Sequence, residues 1–230
     1  MTFLLPPSDF SMTITESSHY NNPITVVGIQ FCAPHPVDLI IVMNLKSLDE
    51  GNFSISDVNG NIVFKAKGTL LSFHDRHLLH DTKGDHLLSL RHKIMSLHSR
   101  WQVFKGDSSD SQHLLFSVKK SSWNSSWVLD VFMAANTKEE VCDFKIKGSW
   151  AERSCIIYIG DSKTIIAQMH KNNGVQSTEF GKGSFTVTVY PNVDYAFIAA
   201  LIVITASFSR GSTSTSMDMG TIGCLCCSQF

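Results

Sequence analysis

One stretch near the end of the chain constrains the fold more than any other: VDYAFIAALIVIT, residues 193 to 205. From Tyr195 to Ser209 no residue is charged, and apolar side chains occupy every side of a helix drawn through it. Fifteen residues at 1.5 Å rise make a rod of about 22 Å, short of the ~30 Å hydrocarbon slab of a bilayer. A run of that size suits a buried helix better than a membrane span, and a helix apolar all round must be enclosed all round. The lead-in YPNVD carries the start signals: Pro191, then Asn192 or Asp194 as an acceptor for the orphan amides of the first turn.

What encloses such a rod is written in the rest of the chain, which is a succession of short alternating runs. In NFSISDVNGNIVFKAKG, Phe53 and Ile55 alternate with polar residues, Asn59-Gly60 is read as a positive-φ turn pair, and Ile62, Phe64 and Ala66 alternate back. LLSLRHKIMSLHSRWQVFKG reads as two or three strands, and DSSDSQ as a solvated turn. In HLLFSVKK, Leu114, Phe116 and Val118 share a face. SWVLDVFMA and VCDFKIKGSW follow. CIIYIGDSKTIIAQMHK is a hairpin turning at Gly160-Asp161-Ser162-Lys163, and SFTVTVY is the last strand. Eleven or twelve strands with turn signals between them predict an antiparallel sandwich or barrel. A barrel of that size leaves a lumen that strand side chains alone do not fill. The expected fold is therefore all-β with one helix: about twelve antiparallel strands closed around the C-terminal rod. Residues 1–28 are expected to be a mobile tail, 29–205 the barrel domain with its helix near 192–208, and 209–230 a disordered Ser/Thr/Gly-rich ending.

Composition excludes several function classes. At 230 residues the chain has length for one large domain or two small ones, and its formal net charge of −1 does not suit a nucleic-acid binder. The first residues lack a secretory signal, so the six cysteines, Cys32, Cys142, Cys155, Cys224, Cys226 and Cys227, are expected to be reduced in the cytosol or nucleus. Cys142 and Cys155 fall inside strand patterns as small buried residues. The ending Cys227-Ser228-Gln229-Phe230 has the form of a prenylation box but poor middle residues and no polybasic run.

No nucleophile elbow, P-loop, dinucleotide fingerprint or zinc-protease motif occurs, and no enzyme activity or cofactor is expected. His74, His77 and His80 stand three apart beside Asp75 and Asp81, yet on a strand positions three apart face opposite ways, so they are read as solvated loop histidines and not a metal site. Glu139-Glu140 reads as a solvated pair. Lys119 with Lys120, Arg91 with Lys93, and Lys145 with Lys147 are candidates to line one outer barrel face, the alternative being ordinary solvated cations.

The runs FCAPHPVDLIIV, GNFSISDVNGNIVFKAKG, RHKIMSLHSRWQVFKGDSSDSQHLLFSVKKSS, LDVFMAANTKEEVCDFKIKGSWAERSCIIYIGDSKTIIAQMHK and FTVTVYPNVDYAFIAALIVI, between about residues 29 and 204, resemble the LURP-one-related family of land plants. The resemblance implies kinship with the tubby C-terminal domain and phospholipid scramblases, hence a twelve-stranded barrel around a hydrophobic C-terminal helix. It also implies a monomeric, membrane-tethered binding protein of plant defence or stress, cytoplasmic, at the plasma membrane or in the nucleus. The tubby kinship suggests that Arg91, Lys93, Lys119, Lys120, Lys145 and Lys147 hold a phosphoinositide or other anionic headgroup; a protein partner without lipid is the alternative. No acidic calcium-binding spacing supports a scramblase. Family members usually extend the helix with a charged last turn. Here TASFSRGSTSTSMDMGTIGCLCCSQF follows, which is expected to cost the helix that turn.

Overall fold

The alternating runs become twelve strands in the computed structural model, which describes residues 22–44, 52–68, 76–93, 99–121, 127–149, 154–171 and 184–211. The strands are β1 (Val37–Asn44), β2 (Asn52–Ser56), β3 (Ile62–Gly68), β4 (Arg76–His80), β5 (His86–Lys93) and β6 (Arg100–Lys105), then β7 (Leu114–Lys120), β8 (Val128–Met133), β9 (Phe144–Ser149), β10 (Ser154–Ile159), β11 (Ile165–Lys171) and β12 (Ser184–Val189). Each pairs antiparallel with its neighbour in sequence, and β1 pairs with β12 to close the barrel. Closure removes the exposed edges that an open sheet would present. The stretch read as two or three strands is two, β5 and β6.

Helix α1 (Tyr195–Gly211) fills the lumen. Every residue from Ala196 to Ile204 is at most 1% exposed. The inward sets, such as Phe116 and Val118 of β7 and Phe185, Val187 and Val189 of β12, are buried against it. Phe197 wedges between two strands, its ring 5.0 Å from those of both Phe116 and Phe144. No helix among the described residues is long and apolar enough to cross a membrane.

The helix start is tied to the chain's first described residues. Asp194 is fully buried. Its Oδ1 accepts the amides of Ala196 and Phe197, both at 3.0 Å, which is the N-cap arrangement anticipated from sequence. Its Oδ2 accepts the amides of Val26, Val27 and Gly28 at 3.1, 2.7 and 3.0 Å. Ile24 bridges Val193, and Phe31 packs edge-on against Tyr195 and Phe64. Residues 24–28 thus belong to the fold and not to a mobile tail. The physical reason is that a buried carboxylate gathers amides from wherever the chain supplies them.

Other expectations change as well. The helix runs to Gly211, beyond the expected 208. The hydroxyls of Thr205, Ser207 and Ser209 bond back to the carbonyls of Leu201, Val203 and Thr205, so each finds its partner within the helix. In the β2–β3 turn only Gly60 has positive φ (+83°); Asn59 does not. Asp57 closes that turn instead, its carboxylate accepting the amides of Asn59 and Asn61 at 2.9 Å. The Asp81–Gly84 turn repeats this arrangement, with Gly84 at +91°. Gly160 turns the β10–β11 hairpin as expected, at +49°.

Cys142 is buried in the turn before β9, outside any strand, and Cys155 is buried in β10; with Cys32 they are free thiols. His74, the chain before residue 22, residues 212–230 and the tail cysteines lie outside the described residues.

A cationic outer wall as candidate functional site

With α1 occupying the lumen, the accessible surfaces are the outer wall and the barrel ends. Strand alternation decides which cations reach that wall. On β5, Leu88 and Leu90 point inward, so Arg91 and Lys93 point out; on β9, Phe144 and Ile146 point inward, so Lys145 and Lys147 point out. Antiparallel register then sets an outward row. Lys93 faces Arg100, Arg100 faces Lys119, Lys119 faces Asp130, Asp130 faces Lys145, and Lys145 faces Tyr158. Five of the six candidates share one wall over β5–β9. Lys120 does not: it has the parity of Phe116 and Val118, and sits at the barrel mouth opposite Leu129.

Most of the row is already neutralised. Glu139, in the β8–β9 turn at φ +51°, holds Arg100 through two oxygens at 2.6 Å and Lys119 at 3.1 Å. These bonds, Arg100 foremost, pull its carboxyl from the ordinary 4.5 down to about 2. Glu139 is therefore an ion-paired clamp, half-buried, while Glu140 alone fits the solvated expectation. Lys145 is paired with Asp161 and lies 3.7 Å from Asp130, and the Asp161 bond raises its pKa. Lys119 also lies over the Phe132 ring at 4.4 Å. Arg76 on β4 pairs with Asp107 and faces Arg91. Both arginines donate Nε to the buried Ser89 hydroxyl, at 3.4 and 3.2 Å. Desolvation, then the like charge of Arg91, lowers the Arg76 pKa.

Lys120 and Lys147 differ. Their ammonium groups rest on aromatic rings, Lys120 5.9 Å from Trp127 and Lys147 5.3 Å from Tyr158. Both contacts lie at the upper corner of β7–β10, where the Gly148 amide donates to the Trp127 carbonyl at 3.3 Å. Sequence reasoning singled out neither Glu139 nor Trp127 as members of this wall, because both come from turns whose position only the closed sheet decides.

The histidines also move. His77 and His80 belong to β4, not a loop. His77 is buried, stacked on Trp101 at 5.5 Å, with Nε2 3.1 Å from the Ser207 hydroxyl of α1. His80 is on the outer face, 4.6 Å from the ring of His86. Among the described residues no group of three His, Cys, Asp or Glu side chains is placed to hold a metal. Burial raises the Cys155 thiol to about 11, far from a reactive thiolate.

The profile of the LURP-one-related family matches residues 37–206. Protein LURP-one-related 15 of Arabidopsis thaliana is 51% identical over 186 residues, covering 80% of this chain and 86% of that protein. Protein LURP1 of the same plant is 45% identical over 196 residues, covering 85% and 95%. A crystal structure of an Arabidopsis thaliana protein is 45% identical, with a TM-score of 0.64, covering 80% of this chain and 98% of that one. A closed twelve-stranded barrel threaded by one apolar helix, matched over this length and at this identity, makes the chain a member of the LURP-one-related family.

Proposed function

We propose that this chain is a non-enzymatic, monomeric binding protein that docks reversibly on anionic membrane surfaces through the upper corner of β7–β10. The carrying observation is a contrast among the cations: Lys119 and Lys145 of the wall are held by carboxylates, whereas Lys147 of the wall and Lys120 at the barrel mouth rest on Tyr158 and Trp127. Aromatic rings beside ammonium groups suit the headgroup layer, where the ring enters the interface and the cation meets phosphate. The raised thiol of Cys155 and the clamped state of Glu139 support a binding role over catalysis. The setting taken from the family resemblance is plant response to pathogens or stress, with the protein in the cytoplasm, partly at the plasma membrane or in the nucleus.

Co-sedimentation with phosphatidylcholine vesicles, with and without phosphatidylinositol bisphosphate, tests this. The double variant Lys120→Glu/Lys147→Glu is expected to lose binding about tenfold or more while its melting temperature holds. Equal sedimentation of variant and parent rejects the corner. A second reading, a protein-interaction scaffold, is favoured by Val58 and Val141, exposed apolar residues (59% and 62%) at turns of the opposite end. That reading expects no vesicle binding at any composition, and loss of partner capture in Val58→Asp/Val141→Asp.

A further inference from the structure

A second cationic feature lies away from the β7–β10 corner and is independent of the membrane reading. An open cavity of about 420 Å³ sits on the outer face of β3 and β4 and the turn that follows. It is lined by Ile62, Lys65, Lys67, His80, Asp81 and Lys83, together with Thr82 and Gly84. Its volume is in the range of small-ligand sites.

The local structure explains why the cations converge. Lys65 and Lys67 are two apart on β3, between the inward Phe64 and Ala66, so both project outward. His80 stands opposite Lys65 in register, its Nδ1 3.4 Å from the Lys65 carbonyl oxygen. Lys83 arrives from the β4–β5 turn, whose shape is set by Asp81 and by Gly84 at positive φ. Three lysines therefore line one cavity, two from a strand and one from a turn.

Their charge is not spent within the protein. Among the described residues, no carboxylate pairs with Lys65, Lys67 or Lys83, unlike Arg76, Arg100, Lys119 and Lys145 of the outer wall. The one carboxylate lining the cavity, Asp81, accepts the amides of Lys83 and Asp85 on Oδ1 at 2.9 and 2.8 Å, which closes the turn and sets one negative charge against the three lysines. A cavity with three unpaired ammonium groups and one hydrogen-bonded carboxylate favours an anion with several charges spread over a few ångströms. Ile62, exposed at its wall, offers an apolar surface to a carbon ring.

We propose that this cavity binds a small, multiply phosphorylated ligand of the inositol phosphate type, with Lys65, Lys67 and Lys83 as the phosphate-binding side chains. The same chemistry occurs in a free inositol polyphosphate and in a phosphoinositide headgroup, and the test separates the two. The full chain is titrated calorimetrically with inositol hexakisphosphate, and in parallel with vesicles containing phosphatidylinositol bisphosphate. The parent is compared with Lys65→Ala/Lys67→Ala/Lys83→Ala and with Lys83→Glu, each checked by thermal melting. Binding in either arm that falls about tenfold or more in the triple variant, and by a smaller factor in Lys83→Glu, supports the site. The arm that responds names the source of the phosphate. The double variant Lys120→Glu/Lys147→Glu is expected to leave the free inositol phosphate arm unchanged, which keeps failure of the membrane reading distinct. Absence of binding by the parent in both arms, or equal binding by parent and triple variant, overturns the proposal.

Discussion

The Oδ2 atom of Asp194 lies 2.7 Å from the backbone nitrogen of Val27, joining the first turn of the central helix to a segment 167 residues earlier in the chain. The same carboxylate caps the helix with its other oxygen, so one buried side chain satisfies five backbone amides. Without it, the buried amides of Ala196 and Phe197 and the part-buried amides of Val26, Val27 and Gly28 would lose their acceptor.

Asp194→Ala is accordingly expected to cost about 3–5 kcal/mol, more than an ordinary cap. Asp194→Asn retains one carbonyl oxygen and is expected to cost less, about 1–3 kcal/mol. Urea unfolding gives both values. An Ala variant within 1 kcal/mol of the parent, roughly the size of a lone cap, would remove the floor latch from the account.

Gly148 on β9 has φ +135°, and a Cβ there would stand 1.9 Å from the carbonyl oxygen of Ser154. The obstacle is backbone of the adjacent strand, paired with β9 at this position, so it has no rotamer by which to yield. Gly148→Ala is expected to destabilise by about 2–4 kcal/mol. Gly60→Ala, whose Cβ would meet no atom within 4 Å, serves as the comparison and carries only the positive-φ cost of about 1 kcal/mol. Equal melting temperatures for the two variants would contradict the steric reading.

The Glu139 clamp predicts a pH dependence whose sign follows from its lowered carboxyl. The folded form binds its proton more weakly than the unfolded form, so the clamp stabilises fully above the ordinary carboxylate value of 4.5. That contribution fades as pH falls toward about 2. The gap in unfolding free energy between parent and Glu139→Gln is expected to be about 1–2 kcal/mol at pH 7, after solvent screening. It should close as pH falls from 4.5 toward 2. Chemical denaturation across that range checks it; a gap that stays constant with pH would show that Glu139 acts through shape and not charge.

Much of the architecture could be read before any coordinates. The period-two runs specified strands, and the uncharged stretch from Tyr195 to Ser209 demanded an enclosure, which those strands were there to supply. Asp194 was visible as one of two cap candidates, with Asn192, because capping is a relation between neighbours in the chain; the structure gives the role to Asp194. The candidate wall was half legible. The spacing of Lys145 and Lys147 correctly implied a shared face, yet it carried no information about which carboxylates arrive beside them. Glu139, Asp130 and Asp161 decide the charge state of that face, and they come from other strands and turns.

The same division holds throughout the molecule. Local patterning, set by backbone sterics and side-chain polarity, determined strands, turns and the helix from the sequence alone. Tertiary structure alone decided which of the described lysines are ion-paired, that His77 is buried against Ser207, and that residues 26–28 close the barrel floor. Those outcomes depend on through-space distances of a few ångströms between groups far apart in the chain, and hydrogen bonds and ion pairs at that range follow from how the sheet closes.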